Sequence, residues 1–230
     1  PPEDVAAIFV EVIQGEGGYV VPPKEFHKAL YQLTRDYNIL YVADEVQSGM
    51  GRTGKMFASE HFDVIPDIIT LAKGIASGLP LSATVASEKI MNWLPGSHAS
   101  TFGGNPVACQ AALTTIKLLE DGLIDNAAKQ GAYIINELKQ LERTYPVIGD
   151  VRGLGLMLAV EIVKDKGTKE YAPEVRDSII QKAFSKGLLL LGCGRSAIRF
   201  CPPLILSKDD ADIALSIFEE CLKAAMQSKF

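Results

Sequence analysis

Histidine is scarce in this chain, three in 230 residues, and the four cysteines, Cys109, Cys193, Cys201 and Cys221, form no Cys-x-x-Cys pair. Such spacing supplies neither a zinc cage nor a disulfide framework, so no metal is expected. Thiols scattered in this way read as reduced and buried, which points to the cytoplasm. A dense basic run is also missing, since 23 Lys and Arg face 28 Asp and Glu for a net charge of −5. Neither nucleic acid nor an anionic membrane is therefore expected as a partner, and small molecules stay open. No apolar run approaches the roughly 18 residues of a membrane span, and no basic-apolar signal peptide precedes the first strand. An initiator Met is absent too, because Pro1-Pro2-Glu3-Asp4 leads within a few residues into an apolar segment. That start reads as a piece of a longer chain.

What is present is globular: 47% hydrophobic and 22% charged residues exclude a disordered or collagen-like chain. Ala7-Ile8-Phe9-Val10 reads as a strand closed by Gln14-Gly15-Glu16-Gly17-Gly18. Pro22-Pro23 opens a helix in which Phe26, Ala29, Leu30 and Leu33 recur until Asn38, and a second strand runs from Ile39 to Ala43 and stops at Asp44-Glu45. Ile68 to Leu71 and Ser82 to Ala86 are further strands. Apolar strands without alternation, separated by crossovers, predict a mostly parallel sheet covered on both faces, with ligands at the carboxyl ends of strands. Glu16, Asp44 and Lys73 all follow such ends.

After Gly103-Gly104-Asn105-Pro106 the pattern turns to long helices, Pro106 to Glu120 and Ile124 to Thr144, joined through Gly122. Leu156 to Ile162 reads as a strand, Pro173 to Lys186 as a helix, Leu188 to Leu191 and Ala197 to Phe200 as short strands, and Lys208 to Met226 as a closing helix. The expected organisation is a larger α/β unit over residues 1–106 and a smaller α+β unit over 107–230 that includes the long connecting helix.

Lys73 follows an apolar strand and sits among Ala72, Gly74, Ala76 and Gly78, small neighbours that let a planar ligand approach the backbone. A lysine so placed is a candidate for a Schiff base with an aldehyde; the alternative is a surface lysine in a turn. Asp44 ends a strand of the same expected sheet. A buried carboxylate needs a cationic partner, and a protonated pyridine nitrogen would supply one, against the alternative of a helix cap or structural ion pair.

Tyr41-Val42-Ala43-Asp44-Glu45-Val46-Gln47-Ser48-Gly49-Met50-Gly51-Arg52-Thr53-Gly54, followed by Asp67-Ile68-Ile69-Thr70-Leu71-Ala72-Lys73-Gly74, resembles the signature of class III aminotransferases, pyridoxal-phosphate enzymes of fold type I. Glu11 to Gly18, Ser100 to Pro106 and Ile198-Arg199-Phe200 look like family segments in the family's order, so the resemblance covers essentially the whole chain. It implies the large domain of such a transferase in part, followed by the small C-terminal domain. The cofactor implied is pyridoxal 5′-phosphate (PLP).

By the same resemblance Lys73 is the Schiff-base lysine and proton shuttle, and Asp44 the partner of the pyridine nitrogen. Val46 would press on the ring and Gln47 hydrogen-bond near its phenolic oxygen, where ordinary packing and a loop amide are the alternatives. Thr101 would bind the cofactor phosphate across a homodimer with a shared active site. Arg199 lies between Ile198 and Phe200 on an apolar strand; a planar guanidinium meets a substrate carboxylate with two parallel hydrogen bonds, although a structural ion pair also fits. In the 4-aminobutyrate and ornithine branch the matching arginine pairs with the glutamate corresponding to Glu16. The closed pair admits an ω-amine, and the open pair grips an α-keto acid.

Two departures stand out. Val12 follows Glu11 where Pro is common, a change expected to alter loop rigidity only. The family's N-terminal half, with its phosphate loop and ring-stacking aromatic, has no counterpart here. The expected activity is transfer of an amino group from an ω-amino acid, 4-aminobutyrate-like, to an α-keto acid such as 2-oxoglutarate. Two rivals are an amino-acid racemase or epimerase using the same residues, and a non-catalytic dimerisation or binding module. His61 and His98 read as loop residues, Gly192-Cys193-Gly194 as a turn, and Glu219, Glu220 and Lys223 as a solvated helix face.

Overall fold

The computed structural model describes residues 1–227. By internal contacts they form two compact units, residues 1–13 with 22–124, and residues 14–21 with 125–227. Sequence reading divides the chain at 106/107 and leaves the segment 14–21 in the first unit. The contacts divide it at 124/125 instead and assign that segment to the second.

In the first unit β1 (Ala7–Glu11), β2 (Leu40–Asp44) and β3 (Ile68–Leu71) are parallel in that order, and β4 (Ala83–Ala86) adds antiparallel to β3. Parallel neighbours need a crossover, and α1 (Lys24–Asp36) supplies the one between β1 and β2. The central strand β2 has Tyr41, Val42 and Ala43 buried in succession, which is why it shows no alternation. The face that α1 buries is not the one that its apolar spacing predicts. Phe26 and Leu33 are exposed, while His27 and Thr34 are buried. The polar groups decide the rotation: His27 Nε2 lies 2.8 Å from Val12 O and so carries the proton, leaving Nδ1 to accept from Tyr41 Oη at 2.7 Å.

Helix α2 (Pro106–Leu118) begins at Asn105, whose side chain accepts from the amides of Val107 at 2.9 Å and Ala108 at 3.2 Å. It ends in a widened turn over Leu119–Leu123, where Gly122 takes φ 135°. Glycine alone adopts that angle easily, which explains the break between the two helical runs.

The second unit is an antiparallel sheet in the order β5 (Ile148–Leu154), β6 (Met157–Ile162), β8 (Ala197–Phe200), β7 (Leu191–Cys193). Strand β5 escapes sequence reading because Gly149, Asp150, Arg152 and Gly153 interrupt its apolar residues. Strand β7 starts at Leu191, later than expected, because its ladder forms only opposite β8, with Cys193 facing Ala197. Helices α3 (Ile124–Thr144), α4 (Pro173–Ser185) and α5 (Lys208–Gln227) pack on this sheet through Ile134, Leu138, Ile179, Phe218 and Leu222. The rings of Phe200 and Phe218 meet edge to face at 5.0 Å. On α3, a Cβ at Gly131 would lie 2.1 Å from Gly155 O, so only a glycine lets this helix close over the turn between β5 and β6. On α5, Glu219 is more than solvated surface, since it accepts the Tyr145 hydroxyl at 2.7 Å.

Candidate active site

The first group of residues lies at the carboxyl ends of β2 and β3, where the register sets Glu11, Asp44 and Thr70 side by side. Asp44 ends β2 and Glu45 follows it directly, and the two carboxylates meet different surroundings. Glu45 is buried, its Oε2 accepting from Ser48 Oγ at 2.6 Å and its Oε1 from the Ser59 amide at 2.8 Å. Burial pushes its pKa up, against the pull of these hydrogen bonds. Asp44 stays half-buried, with Oδ1 accepting from the Val46 amide at 3.0 Å. That local turn orients the carboxylate without consuming it. Val46 and Gln47 follow, both half-buried.

Lys73 follows β3 and opens a short 3-10 turn, Lys73–Ala76, at φ 44°. A left-handed lysine is uncommon, and such backbones persist where surrounding structure holds them. Here Ile75 and Ala76 are buried beneath the turn, and Ser77 Oγ lies 2.9 Å from Thr115 Oγ1 on α2. The Lys73 side chain is exposed. A Cβ at Gly74 would meet only Met50 Cβ, at 3.7 Å, and one at Gly78 would meet nothing within 4 Å, so the small neighbours leave real space. Thr101 lies in an exposed segment between β4 and α2, and no hydrogen bond joins it to Asp44 or Lys73.

The second group lies in the second unit. Arg199 projects from β8, where its neighbours across the ladders are Ala159 and Leu191. Its Nη1 donates to Glu16 Oε1 at 2.5 Å, so the two residues set apart in the sequence are in contact. The arginine side chain is 19% exposed and the glutamate 72%. Burial is the largest single influence and disfavours the guanidinium charge, but the hydrogen bond to Glu16, the charge of Glu16 and the neighbouring Tyr19 and Cys193 groups together hold the Arg199 pKa above its ordinary value.

Sequence reasoning missed what holds Glu16 there. The Gly194 amide donates to Glu16 O at 2.8 Å, and Gly194 takes φ 53°, with a Cβ on it only 2.9 Å from Gly17 O. The predicted glycine turn is therefore also a grip on this segment. Arg152 donates from Nε and Nη2 to Gly18 O at 3.0 and 2.6 Å. Tyr19, buried at φ 53°, has its pKa raised by burial and then by the Cys201 thiol facing its hydroxyl. Burial also pushes the Cys193 thiol up to about 11. Charge inside the interrupted strand β5 was the one available signal for Arg152. Tyr19 had none, because its place depends on backbone geometry.

The family described as aminotransferase class-III matches residues 1–222 of this chain. The chain belongs to the class III aminotransferases. Its relatives divide by chemistry: it is 46% identical over 232 residues to an alanine/serine racemase of Pyrococcus horikoshii, covering 100% of this chain and 48% of that protein. It is 45% identical over 227 residues to a 4-aminobutyrate aminotransferase of Mycobacterium leprae, covering 96% of this chain and 50% of the other. Among solved structures, a transaminase from the marine bacterium Virgibacillus superposes with a TM-score of 0.94 at 33% identity, over 98% of this chain and 54% of that one. An amine transaminase from an uncultivated Pseudomonas species, solved in its PLP-bound form, gives 0.89 at 37% identity over 95% and 52%. The chain thus spans about half the length of the class III proteins it matches. No described helix is long and apolar enough to cross a membrane, and the four cysteines are free.

Proposed function

We propose that this chain carries part of the active site of a PLP-dependent aminotransferase that moves an amino group from an ω-amino acid, 4-aminobutyrate-like, to an α-keto acid such as 2-oxoglutarate. The observation that carries the reading is the Glu16–Arg199 contact at 2.5 Å. An ion pair with one largely exposed partner contributes about 0 to 1 kcal/mol, so it opens easily for a competing carboxylate. With the pair closed, Arg199 has no demand for a substrate carboxylate, and a donor whose amine-bearing carbon lacks one is accepted. With the pair open, the planar guanidinium takes the α-carboxylate of the keto acid in two parallel hydrogen bonds.

The residues of the first unit fit the cofactor. An oriented, half-buried carboxylate at Asp44 suits a ring N–H cation, an exposed amine at Lys73 suits an aldehyde, and the open space at Gly74 and Gly78 suits a flat group. When bound, PLP supplies an electron sink for the pair left at the substrate carbon as its proton departs. Lys73 would hold the cofactor through Nζ and, once released, carry that proton. Asp44 would keep the ring nitrogen protonated. Val46 and Gln47 would fix the ring face and its phenolic edge, and Thr101 would bind the phosphate of the neighbouring subunit's site in a cytoplasmic homodimer.

A second reading, racemase or epimerase, is supported by the likeness to the alanine/serine racemase. It uses the same lysine and the same carboxylate, with the proton returned to the opposite face of the substrate carbon. The test is the intact mass and visible spectrum of the full-length protein before and after borohydride, beside Lys73→Ala. A trapped adduct that vanishes in the variant is expected, and its absence in the wild type would overturn both readings. Keto-acid consumption with an ω-amine then supports the aminotransferase, while loss of optical rotation without such consumption selects the racemase.

A further inference from the structure

Among the contacts that hold the segment carrying Glu16, three come from residues far along the chain. The Gly194 amide holds Glu16 O, Arg152 holds Gly18 O, and Arg199 holds the Glu16 carboxylate. Only the last is made by the Glu16 side chain, so only the last is broken when the pair opens. The other two act on main chain. Arg152 is fixed in turn, with Nη1 donating to Asp150 at 2.9 Å and Nη2 to Glu161 at 2.7 Å, and it is only 19% exposed. Its fork therefore meets Gly18 O in a set orientation. The backbone it holds includes Tyr19 at φ 53°, a left-handed conformation uncommon for a residue with a side chain, next to Gly18, which takes φ 123° freely.

We infer that Arg152 is a positioning residue for the Glu16–Arg199 pair: by fixing Gly18 O, it keeps the Glu16 backbone in place while the side chain leaves and returns. Opening the pair is then a rotation of one side chain rather than a movement of the loop. That confines the change to the carboxylate and preserves the geometry to which it returns. The inference deepens the proposed aminotransferase reading and rests on it for its effect on substrates. The pinning itself is independent of that reading.

The informative variant is Arg152→Lys, made in the full-length protein. It keeps a cation between Asp150 and Glu161, whose buried Oε1 already lacks a hydrogen-bond partner in the structure, but it loses the planar fork on Gly18 O. Amide hydrogen exchange read by mass spectrometry over residues 17–20 should speed up about tenfold in Arg152→Lys and stay unchanged in Glu16→Gln, since one main-chain grip is lost only in the former. Unchanged exchange in Arg152→Lys would overturn the inference whatever the substrate. In kinetics, Arg152→Lys should raise KM for the ω-amine about fivefold with kcat nearly kept, and leave KM for the keto acid unchanged or lower, as expected for loss of one hydrogen bond to the closed state. Added to Glu16→Gln, it should do nothing more. Equal losses on both substrates, or the same loss in the Glu16→Gln background, would reduce Arg152 to a structural residue. A wild type inactive toward ω-amines would defeat the aminotransferase reading, and the exchange measurement would still decide whether Arg152 pins the segment.

Discussion

Arg199 Nη1 and Glu16 Oε1 meet at 2.5 Å across 183 positions of sequence, with the arginine mostly enclosed and the glutamate mostly in water. In the proposed switch, this asymmetry assigns the movement to Glu16. A long side chain in solvent changes rotamer freely, whereas a guanidinium on a central strand has little room.

Glu16→Gln removes the charge that, in the proposed switch, competes with substrate carboxylates, and leaves the backbone grips in place. The expected result is a higher KM for ω-amine donors by about fivefold, with keto acids and α-amino acids bound as well or better, in line with the modest worth of an exposed pair. Steady-state kinetics with both donor classes check it. Equal activity toward ω-amines and α-amino acids before and after the change would sink the switch.

Gly131→Ala tests the packing of the second unit. Alanine is the better helix former by about 1 kcal/mol, so an open site would gain stability. Here the new methyl would stand 2.1 Å from a backbone oxygen at Gly155, which cannot rotate away. Overpacking of this kind destabilises by about 1 to 3 kcal/mol, and a lower urea midpoint is expected. An unchanged or raised midpoint would show that α3 shifts without penalty.

His27 gives the fold a predictable response to acid. Burial lowers its pKa below the ordinary 6.5, against the hydrogen bond to Val12 O, so the folded state prefers the neutral ring. The unfolded chain then takes up the proton first. The stability that this group contributes is complete above pH 6.5 and falls away progressively as the pH drops below that value. Urea midpoints between about pH 7.5 and 5 should fall more steeply for the wild type than for His27→Gln, which keeps polar atoms but does not titrate. Parallel profiles would remove His27 from the acid response. Glu45 works in the opposite sense: burial raises its pKa above 4.5, so its penalty grows as pH rises through that region.

Much of the fold could be read along the chain, because apolar runs and breakers act locally. The strands Ile68–Leu71 and Ala197–Phe200 fall where their apolar residues put them, and Gly122 ends α2 because of its own backbone freedom. The order of acid and lysine after successive strands was legible too, and with it the family. The rotation of α1 was not. Its apolar residues favour one face, but the hydrogen bonds that His27 accepts from Tyr41 on β2 and donates to Val12 after β1 choose another, and those partners are 14 and 15 residues away. Strand β5 was hidden for a similar reason, since a strand broken by glycines and charges pairs only because β6 lies beside it.

Residue type and order are enough to say which chemical groups this protein carries at its strand ends. That Glu45 is taken up by hydrogen bonds while Asp44, at the end of β2, stays open follows from contacts made in the folded chain. Folding alone brought Arg152 and Gly194 to the backbone around Glu16. Such contacts depend on where the chain returns after more than a hundred residues, and no local pattern encodes that.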